Sequence, residues 1–137
     1  SSAASDVYKR QINYYQINNF NLILSNKNLS EICNKSLTES KAEDILSLNV
    51  KDISSFADEI ILATANSNRH AASTSQKLVD SLKKNKIDII GVEGEIESGW
   101  VLVDCGDVVV NIMKKDEREF YDLEGLWGDG RLIKKYR

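Results

Sequence analysis

A chain of 137 residues with 18 Lys and Arg against 21 Asp and Glu has room for one domain and little more. Its 42% hydrophobic and 28% charged residues exclude a disordered chain. The formal charge of −3 excludes broad electrostatic binding to nucleic acid, which needs a basic face to displace counterions, although a local basic patch is compatible with it.

No apolar run approaches the roughly 20 residues of a membrane-spanning helix, and the N-terminus lacks a signal-peptide core. Ser1 to Gln11 has no periodic apolar pattern and reads as non-native, adapter-like sequence, and the Asn-rich stretch that follows is assigned no role. Residues 1–28 are therefore expected to form a non-native or poorly ordered leader, residues 29–129 the domain, and residues 130–137 a C-terminal tail. Ser30 is placed to cap a helix in which Ile32, Cys33 and Leu37 recur at helical spacing, ending near Ser40 to Glu43. Ile45 to Val50 reads as a first strand, and the unbroken apolar run Ile60 to Thr64 as a second, buried on both faces. Asn66 or Ser67 then caps a helix over about Arg69 to Lys84, whose Ala71, Ala72, Ser75, Leu78, Val79 and Leu82 fall three and four residues apart.

Asn85 and Lys86 close that helix, and Ile87 to Val92 is a third strand or extended segment. A Gly- and Glu-rich loop from Glu93 to Gly99 follows. Trp100 to Asp104 and Asp107 to Met113 are β-branched runs around Cys105-Gly106, the signature of a two-residue hairpin. Lys115 to Phe120 suggests a short helix, and large apolar residues recur from Tyr121 to Trp127. Strands joined through a helix predict a partly parallel sheet, and the hairpin adds antiparallel strands. The fold class is α/β: one domain with a mixed, mostly five-stranded sheet flanked by helices.

Three stretches, taken together, resemble the Iojap-like family of ribosomal silencing factors. The first runs Lys41-Ala42-Glu43-Asp44-Ile45, with Ala57-Asp58 and Ala65-Asn66-Ser67-Asn68-Arg69-His70 downstream. The second is Gly91-Val92-Glu93-Gly94. The third joins Trp100 to Val110 with Arg118-Glu119-Phe120-Tyr121-Asp122-Leu123-Glu124-Gly125-Leu126-Trp127-Gly128-Asp129. They cover roughly residues 29 to 129 in register. The resemblance implies a nucleotidyltransferase-like fold, a cytoplasmic protein, no cofactor and no catalysis. It also implies a partner, the large ribosomal subunit, met through its fourteenth protein on the intersubunit face so that the small subunit cannot join. Little direct nucleic-acid contact and no membrane contact are expected. The chain departs from the family at Glu59, at Asn111, where histidine is common, and at Cys105.

The residues expected at the partner interface are Trp100, Leu102, Asp104, Tyr121, Leu123, Leu126 and Trp127. Trp and Tyr bring rigid apolar area with a polar handle, and both are enriched among binding hot spots. Each of Trp100, Tyr121 and Trp127 reads equally as a core residue. Trp100, Leu102 and Asp104 share one strand face, Val101 and Val103 the other. Asp104 and Asp107 read more simply as turn chemistry beside a Gly.

Other chemistries are weaker. A nucleotidyltransferase-like or nucleotide-binding enzyme is the alternative function, but no Gly-Ser signature or Asp-x-Asp pair follows Thr64, and the hairpin aspartates sit on opposite sides of a turn. Asn66 to His70 at a helix start could hold an anion, whereas the simpler reading leaves a cap with Arg69 and His70 on the solvated side. Cys33 and Cys105 share no motif spacing with His70, the only histidine, so unrelated reduced thiols and no metal are expected, and a Cys105 nucleophile would have only His70 as base. Glu93, Glu95 and Glu97 form an acidic surface loop suited to a basic partner. A weak homodimer through the exposed hairpin edge is a further expectation.

Overall fold

The computed structural model describes residues 28–127 and 131–136. The expected leader lies outside the described residues up to position 27.

Helix α1 covers residues 28–39. The helix is already formed at Asn28, so Ser30 is not its cap. Its hydroxyl instead donates to Glu59 Oε2 at 2.8 Å, and Asn34 Nδ2 donates to the Ser30 carbonyl at 3.0 Å. Strand β1 (Glu43–Asn49) and strand β2 (Glu59–Ala65) pair antiparallel. Every residue of β2 is buried, as its unbroken apolar run requires.

Helix α2 (Asn68–Lys84) starts on Ser67, whose side chain accepts from the His70 N–H at 3.0 Å. It buries Ala71, Thr74, Ser75, Leu78 and Leu82. Both α1 and α2 end in the same way. Lys41 and Lys86 take left-handed backbones (φ 61° and 58°), and the following Ala42 and Ile87 N–H groups reach back to Leu37 O at 3.0 Å and Leu82 O at 2.9 Å. This Schellman pairing normally uses glycine at the left-handed position. It also delays the third strand: the chain first enters pairing when Ile90 N–H meets Asp104 O at 2.8 Å, so β3 is only Gly91–Glu93. A 3-10 turn over Ile96–Ser98 fills the acidic loop.

Strands β4 (Trp100–Asp104) and β5 (Val108–Lys114) form the hairpin. The tight turn is Gly106-Asp107, one residue beyond the expected pair: Cys105 N–H bonds Val108 O at 2.9 Å, and Gly106 carries φ 87°. Helix α3 (Lys115–Tyr121) follows β5 directly, and a left-handed Asp122 (φ 44°) reverses the chain into α4 (Leu123–Leu126). Residues expected only to form a tail make strand β6 (Arg131–Tyr136), antiparallel to β1.

The five expected strands thus gain a sixth, in the order β3-β4-β5-β2-β1-β6, with β2 and β5 parallel across the α2 crossover. One sheet face carries α1 and α2 over a core that includes Cys33, Leu37, Ile45, Ile61, Leu78, Leu82, Val103, Val110 and Ile112. On the other face Leu48, Val50, Ile60 and Leu62 pack against Leu123 and Trp127. The hairpin edge expected to be exposed is covered, because β3 pairs with β4 through Gly91↔Asp104, Val92↔Val103 and Glu93↔Leu102. Among the described residues no helix is long and apolar enough to cross a membrane.

Candidate functional site

Period-two burial in β4 hides Val101 and Val103 and leaves Trp100, Leu102 and Asp104 half-buried on the opposite face. Trp100 Nε1–H donates to Asn111 Oδ1 at 3.0 Å, across the hairpin on β5. Asn111 is 3% exposed, so that acceptor has no recourse to water. The Trp100 and Tyr121 rings lie 4.9 Å apart, tilted by 49°. Phe120 meets Tyr121 edge-on at 5.0 Å. Tyr121 is 51% exposed and Phe120 81%, so both aromatics face solvent from a helix that buries none of its residues.

An open pocket of about 320 Å³ is lined by Glu93, Gly94, Ser98, Trp100, Leu102 and Tyr121. Gly94 makes the close approach: at φ 108°, a Cβ there would sit 2.1 Å from the Trp100 carbonyl oxygen. The helix carrying the two rings is pinned from beneath by Arg118. Its Nε donates to Glu124 Oε1 at 2.8 Å, and its Nη1 to the Asp44 carbonyl at 2.6 Å and Thr64 Oγ1 at 2.8 Å.

The seven expected interface residues therefore divide. Trp100, Leu102 and Tyr121 converge on one pocket. Asp104 stands at the other end of β4, where its Oδ1 accepts from Gly106 N–H at 2.9 Å; turn chemistry occupies it. Leu123 and Trp127 pack into the second core cluster, with Trp127 against Phe56 at 5.7 Å. Leu126 is exposed. Two contributors escaped the sequence. Phe120 was hidden in a charged segment, although an aromatic adjacent to Tyr121 on so short a helix was a usable sign. Asn111 carried none, since its partner lies eleven residues away across the turn.

The other candidate chemistries resolve structurally. His70 is not on the solvated side of α2: its Nδ1 accepts from Asn66 N–H at 3.0 Å and its Nε2 donates to Ser40 O at 2.7 Å. The ring clips the end of α1 to the start of α2, and Ser67 occupies the His70 N–H. Cys33 and Cys105 are not unrelated: both are free thiols buried in the larger core. The neighbouring Cys105 thiol and burial push the Cys33 thiol well above its ordinary value, away from the range in which a thiolate forms. Glu59 is buried under Ser30, and burial pushes its carboxyl up. Among the described residues no three His, Cys, Asp or Glu side chains are placed to hold a metal ion.

The family model described as "Ribosomal silencing factor during starvation" matches residues 24–136. The ribosomal silencing factor RsfS of Bacillus subtilis (strain 168) is 38% identical over 109 residues, covering 80% of this chain and 92% of its own. A crystal structure of a protein from Chromobacterium violaceum superposes with a TM-score of 0.72 at 37% identity, covering 74% of this chain and 85% of that one. A more distant relative, the mouse protein named "Mitochondrial assembly of ribosomal large subunit protein 1", is 30% identical over 66% of this chain and 41% of its own length.

Proposed function

This chain belongs to the ribosomal silencing factor family, and from that membership we propose that it represses translation by docking on the large ribosomal subunit and keeping the small subunit from joining. It is a ribosome-associated regulator of translation. The dock is the fourteenth protein of the large subunit, on the intersubunit face, and the repression is steric, requiring no catalysis and no cofactor. The protein acts in the cytoplasm. The name of the mouse relative, which concerns large-subunit assembly, favours the same subunit.

The observation that carries this reading is the aromatic patch of Trp100, Tyr121 and Phe120 over an open pocket, exposed on a helix pinned to the sheet. Rings held in place cost little rotamer entropy on docking, and rings of this kind are typical hot spots. The acidic rim, with Glu93 in the pocket and Glu95 and Glu97 exposed beside it, suits a basic ribosomal protein and would speed encounter. Leu102 contributes apolar area to the pocket floor. Asp104, Leu123 and Trp127 support this face from turn and core, and Leu126 extends it.

Co-sedimentation with separated subunits in a sucrose gradient tests the proposal. The wild type should travel with large subunits alone, and the Tyr121→Ala variant should remain at the top of the gradient while keeping its fold. Wild-type protein that travels with neither subunit, or equally with both, would overturn it.

A further inference from the structure

Few polar groups in the pocket beside Trp100 and Tyr121 are free to meet a partner. The indole Nε1–H is committed to Asn111 Oδ1 at 3.0 Å, so Trp100 offers the pocket only its ring. Ser98 is likewise occupied: its Oγ donates to Glu95 O at 2.7 Å and accepts from Trp100 N–H at 3.3 Å. What remains is two aromatic rings, the apolar Leu102 and the exposed carboxylate of Glu93, and no Lys, Arg or His lines the cavity. The ion pairs among the described residues are Lys35 with Glu39 and Arg118 with Glu124, so Glu93 keeps its charge unpaired. One turn before Tyr121 on α3, Glu117 lays a second carboxylate against Gly99, between Ser98 and Trp100, where a Cβ would meet it at 2.7 Å. Its buried Oε2 has no partner among the described residues. Aromatic π-surface and carboxylates, with no cation among them, give the cavity a field of one sign.

We propose that this pocket takes one cationic side chain of the partner protein, an arginine whose guanidinium lies against the rings of Trp100 and Tyr121 while its N–H groups reach Glu93. This rests on the ribosomal reading above and names the chemistry that the docking face selects. At about 320 Å³ the cavity sits at the low end of ligand sites, which suits one extended side chain rather than a chain segment. The rings stand 4.9 Å apart and are tilted by 49°, so neither lies flat over the other and π-surface remains for a third planar group. A guanidinium is planar and weakly hydrated, stacks on aromatic rings and binds a carboxylate through two parallel N–H bonds. An ammonium is a strongly hydrated point charge, which loses more on entering a cavity walled by rings and Leu102. The competing occupant is an apolar side chain, for which the rings are only area. That occupant would press carbon against the Glu93 carboxylate without satisfying it, and its affinity would not respond to the charge on the ring faces.

The test places phenylalanine and then its mono-, di- and trifluorinated forms at position 121 and measures affinity for purified large subunits, with Glu93→Gln alongside. Tyr121 stands half exposed on a helix that buries none of its residues, so every form should keep the wild-type melting temperature. Fluorine withdraws negative charge from the ring face with little change in shape. Affinity should therefore fall with each fluorine, by about three- to tenfold across the series. Glu93→Gln should weaken binding several-fold at low salt, and the difference should shrink as salt rises. N-acetylarginine amide should displace the protein from large subunits at concentrations where N-acetyllysine amide at the same ionic strength does not. Affinity that stays flat or rises along the fluorine series, a Glu93→Gln variant that binds like wild type, or an arginine amide no more effective than the lysine amide overturns the inference and leaves the aromatic dock standing. Wild-type protein with no affinity for large subunits overturns both.

Discussion

Trp100 and Tyr121 touch, yet they answer to different forces. Trp100 Nε1–H satisfies a buried acceptor on Asn111, so Trp100→Phe should cost about 1–3 kcal/mol, read from urea unfolding, by orphaning that oxygen. Tyr121 carries no such duty: Tyr121→Ala should stay within about 0.5 kcal/mol of wild type while weakening subunit binding on the order of tenfold or more. Strand alternation made the shared face of Trp100 and Leu102 legible in the sequence; the hydrogen bond across the hairpin was not, because nothing local marks it. Glu59 gives a second prediction at this scale. Burial pushes its carboxyl up from the ordinary value of 4.5, so the folded chain holds that proton more tightly than the unfolded chain. The stability this contributes is full below pH 4.5 and is lost as pH rises through the raised value. Glu59→Gln should therefore flatten the melting-temperature profile above pH 4.5 and be no less stable at neutral pH, as thermal unfolding across a pH series would show. A variant whose profile still falls over that range would exclude Glu59 as the source.

At the scale of elements, α2 was the easiest to read. Ser67 is a conventional cap donor's partner with periodic apolar residues after it, and α2 begins there; Ser67→Ala should cost about 1 kcal/mol in denaturant unfolding. The end of α2 was legible as well, since Asn85 and Lys86 follow its last residue, Lys84, whereas α1 was expected to reach Ser40 to Glu43 and stops at residue 39. In both helices a lysine, not a glycine, takes the left-handed position beyond the end. Lys86→Gly should relieve that backbone and raise stability by about 0.5–1 kcal/mol, against the usual loss when glycine enters a helix. A measured loss would show that the lysine side chain compensates for its own strain. The third strand was shortened for the same reason: the Ile87 N–H is committed to the helix end and cannot join the ladder. Ser30 misled because a good cap residue inside a helix looks the same in sequence as one at its start; its hydroxyl serves Glu59 instead.

For the whole molecule, the β-α-β order foretold a mixed sheet, and the parallel β2–β5 pair is its consequence. The sixth strand was illegible because Arg131 to Tyr136 lacks clean alternation and its pairing with β1 shifts register between Ser47 and Leu48. Its presence changes the expectation about self-association. One sheet edge is only three residues long and the other is a strand rich in cations, both poor templates for a second copy. Light scattering over a concentration series should return the mass of a single chain; a mass that rises towards two would locate a pairing surface elsewhere. The placement of Asp122 bears on the whole molecule as well. This one residue closes α3, opens α4 and holds Gly125 N–H with its own side chain, while Leu123 beyond it sits in the core and Tyr121 before it faces out. The outward rings are therefore moored at both ends like a short beam fixed to two walls, and a load applied at Tyr121 passes through a single stiff joint into the packing beneath the sheet.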